Sequence, residues 1–411
     1  MVYESRESQV LQSRHIQHVG QLDTAKIVAI LETVLPQNRR PLPLHEPWFD
    51  GNEWAYIKDC LDTGWVSSVG SYVDRLELML GDITGSEYAI ATVNGTAALY
   101  ICLKLVSVEP GDEVLVPALT FVATANSVSY CGAVPHFVES DEMTLGMDVA
   151  KLSEYLKEMA FVRSRCCFNK RTGARIKAVV PMHTFGHPVD LEPLVELCDR
   201  FKLDLVEDAA ESLGTHYKGR HTGCFGKAAA LSFNGNKIVT TGGGGAILTN
   251  DSEFARLAKH ITTTARVPHR WSFLHDQVGY NYRLPNLNAA LGCAQVEQLP
   301  KFLEKKRLLA QKYVDAFLGV QGVHIFMEPT FARSNYWLNT LLLDEPSARQ
   351  RDELLDATHQ RGIMTRPAWA LMPKLPMYRH CPQMELSVAE KLEQRIISLP
   401  SSPSLIVDEE T

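Results

Sequence analysis

The chain has 411 residues, 45% hydrophobic and 22% charged, with a formal net charge of -7. That composition supplies a large apolar core, and the acidic balance argues against a general nucleic-acid or anionic-membrane binder. The nine cysteines include an adjacent pair, Cys166 and Cys167, and show no C-x-x-C or Cys/His spacing. A disulfide framework and a tetrahedral zinc site are both disfavoured, so we expect free thiols in a reducing compartment and the cytoplasm as location. No apolar run is long enough for a membrane helix, and the polar start lacks a signal-type core.

Residues 1–24 read as loosely ordered. "TAKIVAILETVLP" then predicts an amphipathic helix, with Ile27, Ile30, Leu31 and Val34 on one face and a stop near Pro36. From about residue 88, short apolar runs alternate with helical patterns: "YAIATVN", "GTAALYICLKLV", "DEVLVPA", "VPHFVE", "IKAVVPMH", "LDLVEDAA", "KAAALSF" and "GAILTND". This pattern predicts an α/β domain around a mostly parallel sheet. One or two long helices come next, over "NLNAALGCAQVEQLPKFLEKKRLLAQKYVDAFLG". The remainder reads as a smaller α+β domain. It contains a strand in "NYWLNTLLL", a helix capped by Ser347 with Gly362 past its end, and a last helix around "VAEKLEQRIIS". The expected division is a helical arm over 1–40, a large domain over 41–295 and a small domain over 296–411.

Ligands of open α/β sheets collect at the carboxyl ends of the strands. Three such ends carry chemistry. Gly95-Thr96 opens a helix and offers backbone N–H groups with a hydroxyl, which suits a phosphate or serves as a plain cap. Asp208 ends "LDLVED" and can pair with a cation or cap the next helix. Lys237 lies after Ser232 in "SFNGNK", as a reactive amine or a solvated turn residue. The glycine run after Lys237 is not a Walker loop, because the spacing is absent and no Ser or Thr comes directly after the lysine.

Seven segments in order resemble one family: "GWVSSVGSYVDRLE", "NGTAAL", "PALTFVATANSV", "PMHTFGHPVDLEPL", "VEDAAESLG", "SFNGNKIVTTGGGG" and "VGYNYRLPNLNAALG". From about residue 41 onward the chain is similar to the nucleotide-sugar aminotransferases that use pyridoxal 5′-phosphate (fold type I, the aspartate aminotransferase superfamily). The wording is most similar to members that aminate UDP-linked 4-keto-6-deoxy-N-acetylhexosamines. The resemblance implies that Lys237 carries the cofactor as a Schiff base and moves the proton, while Asp208 pairs with the pyridine nitrogen. It places Phe121 on the ring face, and Gly95, Thr96 and Ser232 on the phosphate. Asn281 would reach the cofactor phosphate of a second subunit, which implies a homodimer with shared sites. Glu211 stands where many relatives have glutamine, near the ring hydroxyl. Cations around Lys237 would help keep its amine neutral.

On the substrate side, Trp65, Ser67 and Ser68 match a segment that borders the sugar pocket in relatives, or form a turn before a helix. From Phe254 to His275 there is no acid, but Arg256, Lys259, Arg266, Arg270 and three histidines, which suits a nucleotide diphosphate or a solvated loop. His183 in "PMHTFG" is a pocket residue or a satisfied core group. The basic stretch "FVRSRCCFNKRTGARIK" reads as a hairpin excursion with a solvated tip. The activity implied is transfer of an amino group from L-glutamate to C4 of a 4-keto nucleotide sugar. A sugar dehydratase of the same fold would replace Lys237 by histidine, and a regulator that kept only the fold would lose Lys237 or Asp208. The "GYNYR" and "VSSVG" wording disfavours an amino-acid aminotransferase or another lyase.

Overall fold

The structure, a computed structural model, describes residues 22–407. The expectation for residues 1–21 lies outside the described residues. The first helix, Thr24–Val34, starts at Asp23, whose carboxylate accepts the Lys26 N–H at 3.0 Å. Its buried face of Ile27, Val28 and Leu31 joins a core with Leu309, Tyr313 and Phe317 of the helix Leu299–Phe317. The N-terminal helix is thus part of the C-terminal core.

The central sheet runs, by strand, Tyr88–Thr92, Gly245–Thr249, Ala228–Ser232, Asp204–Asp208, Arg175–Val179, Glu113–Pro117 and Val134–Val138. The last five pair in parallel. Gly245–Thr249 runs antiparallel to both its neighbours, so it is the one reversed strand among these seven. Its apolar run resembles that of its neighbours because it is buried to the same depth, and burial does not report direction. The carboxyl ends of Tyr88–Thr92, Asp204–Asp208 and Ala228–Ser232 therefore share one edge.

At that edge the backbones are close. Gly245 stands in register with both Thr92 and Ser232. A Cβ on Gly245 would lie 2.6 Å from the Gly95 nitrogen and 2.7 Å from the Leu231 carbonyl oxygen. A Cβ on Gly95 would lie 2.9 Å from Cβ of Ser232. The last glycine of the run after Lys237 thus lets the helix Gly95–Leu105 start directly against the sheet. Asn94 caps that helix by accepting the Ala97 N–H at 2.8 Å.

The predicted C-terminal elements form, with corrections. The stretch after residue 285 gives two helices, Asn286–Glu297 and Leu299–Phe317, with Pro300 in the first turn of the second. Ser347 caps Ala348–Gln360 by accepting the Gln350 N–H, and Gly362 lies just beyond at φ 70°. The last helix stops at Arg395, and Ile396–Leu399 is a strand, because its branched residues pair with Asn339–Leu343. That strand sits in an antiparallel sheet of Val323–Ile325, Asn339–Leu343, Ile396–Leu399 and Arg366–Pro367. Lys306, fully buried, donates to the carbonyls of Trp337 and Ser401 and ties the long helix to this sheet. The basic stretch forms two hairpins, Ala160–Arg163 with Cys166–Asn169 and the latter with Arg175–Val179, and the "NKRTG" tip is largely solvated. All nine cysteines are free thiols.

Gly245→Ala should push the Gly95 turn off the sheet and cost about 1–3 kcal/mol, the range for overpacking a filled site. A urea melt should show the lowered midpoint; an unchanged midpoint would mean the edge is looser than these distances.

Candidate active site

A chamber of about 350 Å³ opens at this edge. Its floor is the turn Asn94–Thr96, Asp208 and Ser232; its sides are Phe121, Glu211 and Lys237; Trp337 and Trp369 close it from the C-terminal part. The sequence-predicted residues Gly95, Thr96, Phe121, Asp208, Glu211, Ser232 and Lys237 thus meet in one place. At one end lie the first amides of Gly95–Leu105 beside the hydroxyls of Thr96 and Ser232, a set suited to an anion.

Asp208 sits deeper. Its Oδ2 accepts the Thr124 hydroxyl at 2.7 Å and its Oδ1 the Ala210 N–H at 3.2 Å. Burial pushes its carboxyl above the usual range, against the pull of the Thr124 hydroxyl, the Ala210 N–H and Lys237. Lys237 reaches in from the loop after Ala228–Ser232. Its Nζ lies 3.4 Å from Glu211 Oε1 and 3.9 Å from the centre of the Trp337 ring. Trp337 is fixed by its Nε1–H, which donates to the Asn236 carbonyl at 2.7 Å. The amine thus meets a carboxylate and an aromatic face where the sequence reading expected cations.

Glu211 is held by the turn Thr184–Gly186. Phe185 adopts φ 55°, a left-handed conformation unusual for a bulky residue, and its N–H donates to Glu211 Oε2 at 2.9 Å. Phe185 also stacks on Trp369, with ring centroids 5.1 Å apart. Asn335 donates to the Glu211 carbonyl at 2.9 Å and locks the backbone below. Burial pushes the Glu211 carboxyl up to about 7, with Lys237 and the Phe185 N–H opposing and Asp208 adding to the rise.

Pyridoxal 5′-phosphate fits this donor set. Its phosphate suits the helix start and hydroxyls, its protonated ring nitrogen suits buried Asp208, its flat ring suits Phe121, and its aldehyde suits the Lys237 amine.

The predicted substrate residues lie elsewhere. His183 is fully buried; its Nε2 is 3.2 Å from Glu207 Oε2, and its Nδ1 accepts the Val189 N–H at 3.3 Å. It is a satisfied core group outside the chamber, where its neighbour Met182 stands instead, because successive side chains on extended backbone point to opposite faces. Trp65, Ser67 and Ser68 lie outside the chamber in a turn whose Trp65 and Ser67 carbonyls accept from Asn286. Arg266 is on the small hairpin Arg266–Val267 with Leu274–His275, over the Phe273 ring at 4.2 Å. Arg256 pairs with Glu253 and Lys259 with Glu77, and both lie on the helix Ser252–Thr262 where a loop was expected, so those two cations are already engaged. Asn281 is exposed, and its Oδ1 accepts from Arg283. Sequence reasoning missed Thr124, Trp337 and Trp369. Thr124 was detectable as a hydroxyl in the first turn of a helix at the same edge; Trp369 lies in irregular chain with no periodicity to flag it.

Glu211 makes stability depend on pH in protein stripped of cofactor. Its carboxyl rises from 4.5 to about 7 on folding, so the fold holds that proton more tightly than the unfolded chain. Stability therefore falls as pH rises from about 4.5 to about 7 and levels off above. Glu211→Gln should remove that loss, on the order of 3 kcal/mol. Urea midpoints at pH 5 and pH 8 should show the variant's advantage only at the higher pH; the same difference at both would refute the assignment.

Residues 48–411 match the model of the DegT/DnrJ/EryC1/StrS aminotransferase family. The chain is 36% identical over 364 residues to a GDP-perosamine synthase of Escherichia coli O157:H7, covering 89% of this chain and 94% of that one. It is 36% identical over 373 residues to the putative pyridoxal phosphate-dependent aminotransferase EpsN of Bacillus subtilis (strain 168), covering 89% and 92%. Among solved structures, the aminotransferase TlmJ from Streptoalloteichus hindustanus superposes with a TM-score of 0.80 at 27% identity, over 89% of this chain and 94% of that one. A chamber with an amine, a buried acid and an anion-binding helix start, on a chain matched over most of its length, leads to one conclusion: the protein belongs to the DegT/DnrJ/EryC1/StrS aminotransferase family, sugar aminotransferases that use pyridoxal 5′-phosphate.

Proposed function

We propose that the enzyme moves an amino group from L-glutamate to C4 of a 4-keto-6-deoxy sugar carried on a nucleotide. The observation that best supports this is Lys237 Nζ in one chamber with buried Asp208 and the Gly95–Thr96 turn. An electron-accepting ring and a carrier for the amino group are what pyridoxal 5′-phosphate supplies when bound. The chain's own residues do the rest. Gly95, Thr96 and Ser232 bind the phosphate, and Phe121 covers the ring. Asp208 holds a proton at the ring nitrogen, helped by the Thr124 hydroxyl on its Oδ2. Lys237 Nζ takes a proton from the donor carbon and returns one to the sugar carbon. Glu211, its carboxyl pushed up to about 7 in the chamber, would share a proton with the ring hydroxyl, which supports a glutamate where many relatives carry glutamine.

For the carrier, the sequence wording favours a UDP-linked N-acetylhexosamine. A second reading, a GDP-linked sugar, is favoured by the GDP-perosamine synthases among the relatives. We also propose a homodimer. Trp271, Phe273, Leu274 and Val278 are exposed apolar side chains just before Asn281, and a second copy would cover them and bring Asn281 and Arg266 to its site. No helix among the described residues is long and apolar enough to cross a membrane; the cytoplasm is our proposed location.

Lys237→Ala should remove the visible absorption band of the loaded protein and lower turnover by roughly 10²- to 10⁴-fold or more, the range general acid–base catalysis contributes. Turnover at the wild-type rate would show that another residue moves the proton. A panel of UDP- and GDP-linked 4-keto sugars, assayed with glutamate, should single out the UDP-linked substrates; preference for GDP would select the second reading.

A further inference from the structure

Beside the cofactor chamber lies a second one of about 360 Å³, and the two share Asn236, Trp337 and Trp369. Leu44 and His45 of the N-terminal connector form one wall, and Arg366 and Ser398 of the small sheet form another. Arg366 and Ser398 stand opposite each other in the ladder. Arg366 donates from Nη1 to the Thr365 carbonyl at 2.8 Å and lies 3.0 Å from His359 Nε2. Among the described residues it has no carboxylate partner, and no acidic residue lines the chamber.

Among the described residues His45 has no hydrogen-bond partner: both ring nitrogens are buried and unpaired. An unpaired polar atom in such a place costs about 1–3 kcal/mol, so a buried imidazole with two is unusual in a native fold. Burial, with the positive charges of Lys306 and Lys237, keeps the ring neutral, so it has one N–H to give. The lining of the second chamber therefore includes an arginine and a neutral imidazole with no anion beside them. That is a receptor for a carboxylate. A diphosphate would gain only one cation here.

We infer that the second chamber receives the distal carboxylate of a dicarboxylic amino donor, with Arg366 and His45 as its partners. This rests on glutamate being the amino donor of the proposed reaction. The donor's amine must come to Lys237 in the first chamber, and its α-carboxylate is attached to the same carbon and stays beside it. The two chambers meet at Asn236, Trp337 and Trp369, so the end of the donor side chain is the part this inference places in the second. A monocarboxylic donor leaves Arg366 and His45 unpartnered, so the chamber selects glutamate-like donors over alanine-like ones.

The test monitors bleaching of the visible band of the loaded enzyme against L-glutamate and against L-alanine, in wild type, Arg366→Gln, Arg366→Lys and His45→Ala. In parallel, calorimetry reads the binding of glutarate, which has no amine to transfer. Arg366→Gln should raise the half-saturating glutamate concentration roughly 10- to 100-fold, the range for losing a charge-assisted hydrogen bond. His45→Ala should raise it less, and Arg366→Lys should restore part of the loss. Glutarate should weaken in step, while the response to alanine and the KM for the keto sugar stay near wild type. Unchanged half-saturation for glutamate in Arg366→Gln overturns the inference, and so does equal weakening of alanine or a selective rise in the KM for the sugar. Should Arg366→Gln fail to fold, Arg366→Lys and His45→Ala carry the same comparison. Wild type that glutamate does not bleach would refute the donor reading itself, whereas glutarate that does not bind would refute the chamber alone.

Discussion

Asp208 and Glu211 are two carboxylates buried in one small space, and the rest of the site is arranged around that cost. An isolated buried carboxylate is strongly disfavoured, and a second one beside it more so. Lys237 offsets part of this from 3.4 Å, and hydrogen bonds from Thr124, Ala210 and Phe185 offset more. Glu211 is still left near neutrality, and Asp208 still above its usual range. The chamber is short of positive charge. On the proposed reading, a ring that brings a protonated nitrogen to Asp208 would supply it, and the acidity that burdens the fold would favour the cofactor in its reactive form.

Several distant parts of the chain hold this arrangement. The reversed strand Gly245–Thr249 lets the helix start at Gly95 lie against Ser232, with no side chain between them. The left-handed Phe185 turns its N–H onto Glu211 and its ring onto Trp369. Asn335 ties the backbone of Glu211 to the C-terminal part, and Trp337 covers the amine of Lys237. Residues on the N-terminal connector and the small sheet then shape the neighbouring chamber. The two chambers thereby meet at one junction between sheet edge and C-terminal part, the place we propose for cofactor and donor.

Much of this was legible in the sequence. Alternating apolar runs marked the sheet, and the polar residues at the carboxyl end of each run brought Thr96, Asp208 and Lys237 to one edge. Ser347 and Gly362 marked both ends of their helix. The reversed strand was not legible, because a buried strand looks the same in either direction. Side-chain facing was not legible at strand ends either. Glu207 and Asp208 are neighbours, yet Glu207 binds His183 and the N–H groups of Gly223, Phe225 and Gly226 away from the chamber, while Asp208 lines it. His183 falls on the wrong side for the same reason. Trp369 was invisible because irregular chain far along the sequence carries no periodic signal, and Trp337, read as part of a strand, lies just before that strand begins at Asn339.

Lys237, between Glu211 and Trp337, is the amine we propose to hold the cofactor over Asp208. Borohydride treatment of the loaded enzyme, then proteolysis and mass mapping, tests this most directly. The expected result is a pyridoxyl label on Lys237 alone. A label on another lysine, such as Lys227 or Lys259, or none at all in protein that has taken up pyridoxal 5′-phosphate, would contradict it.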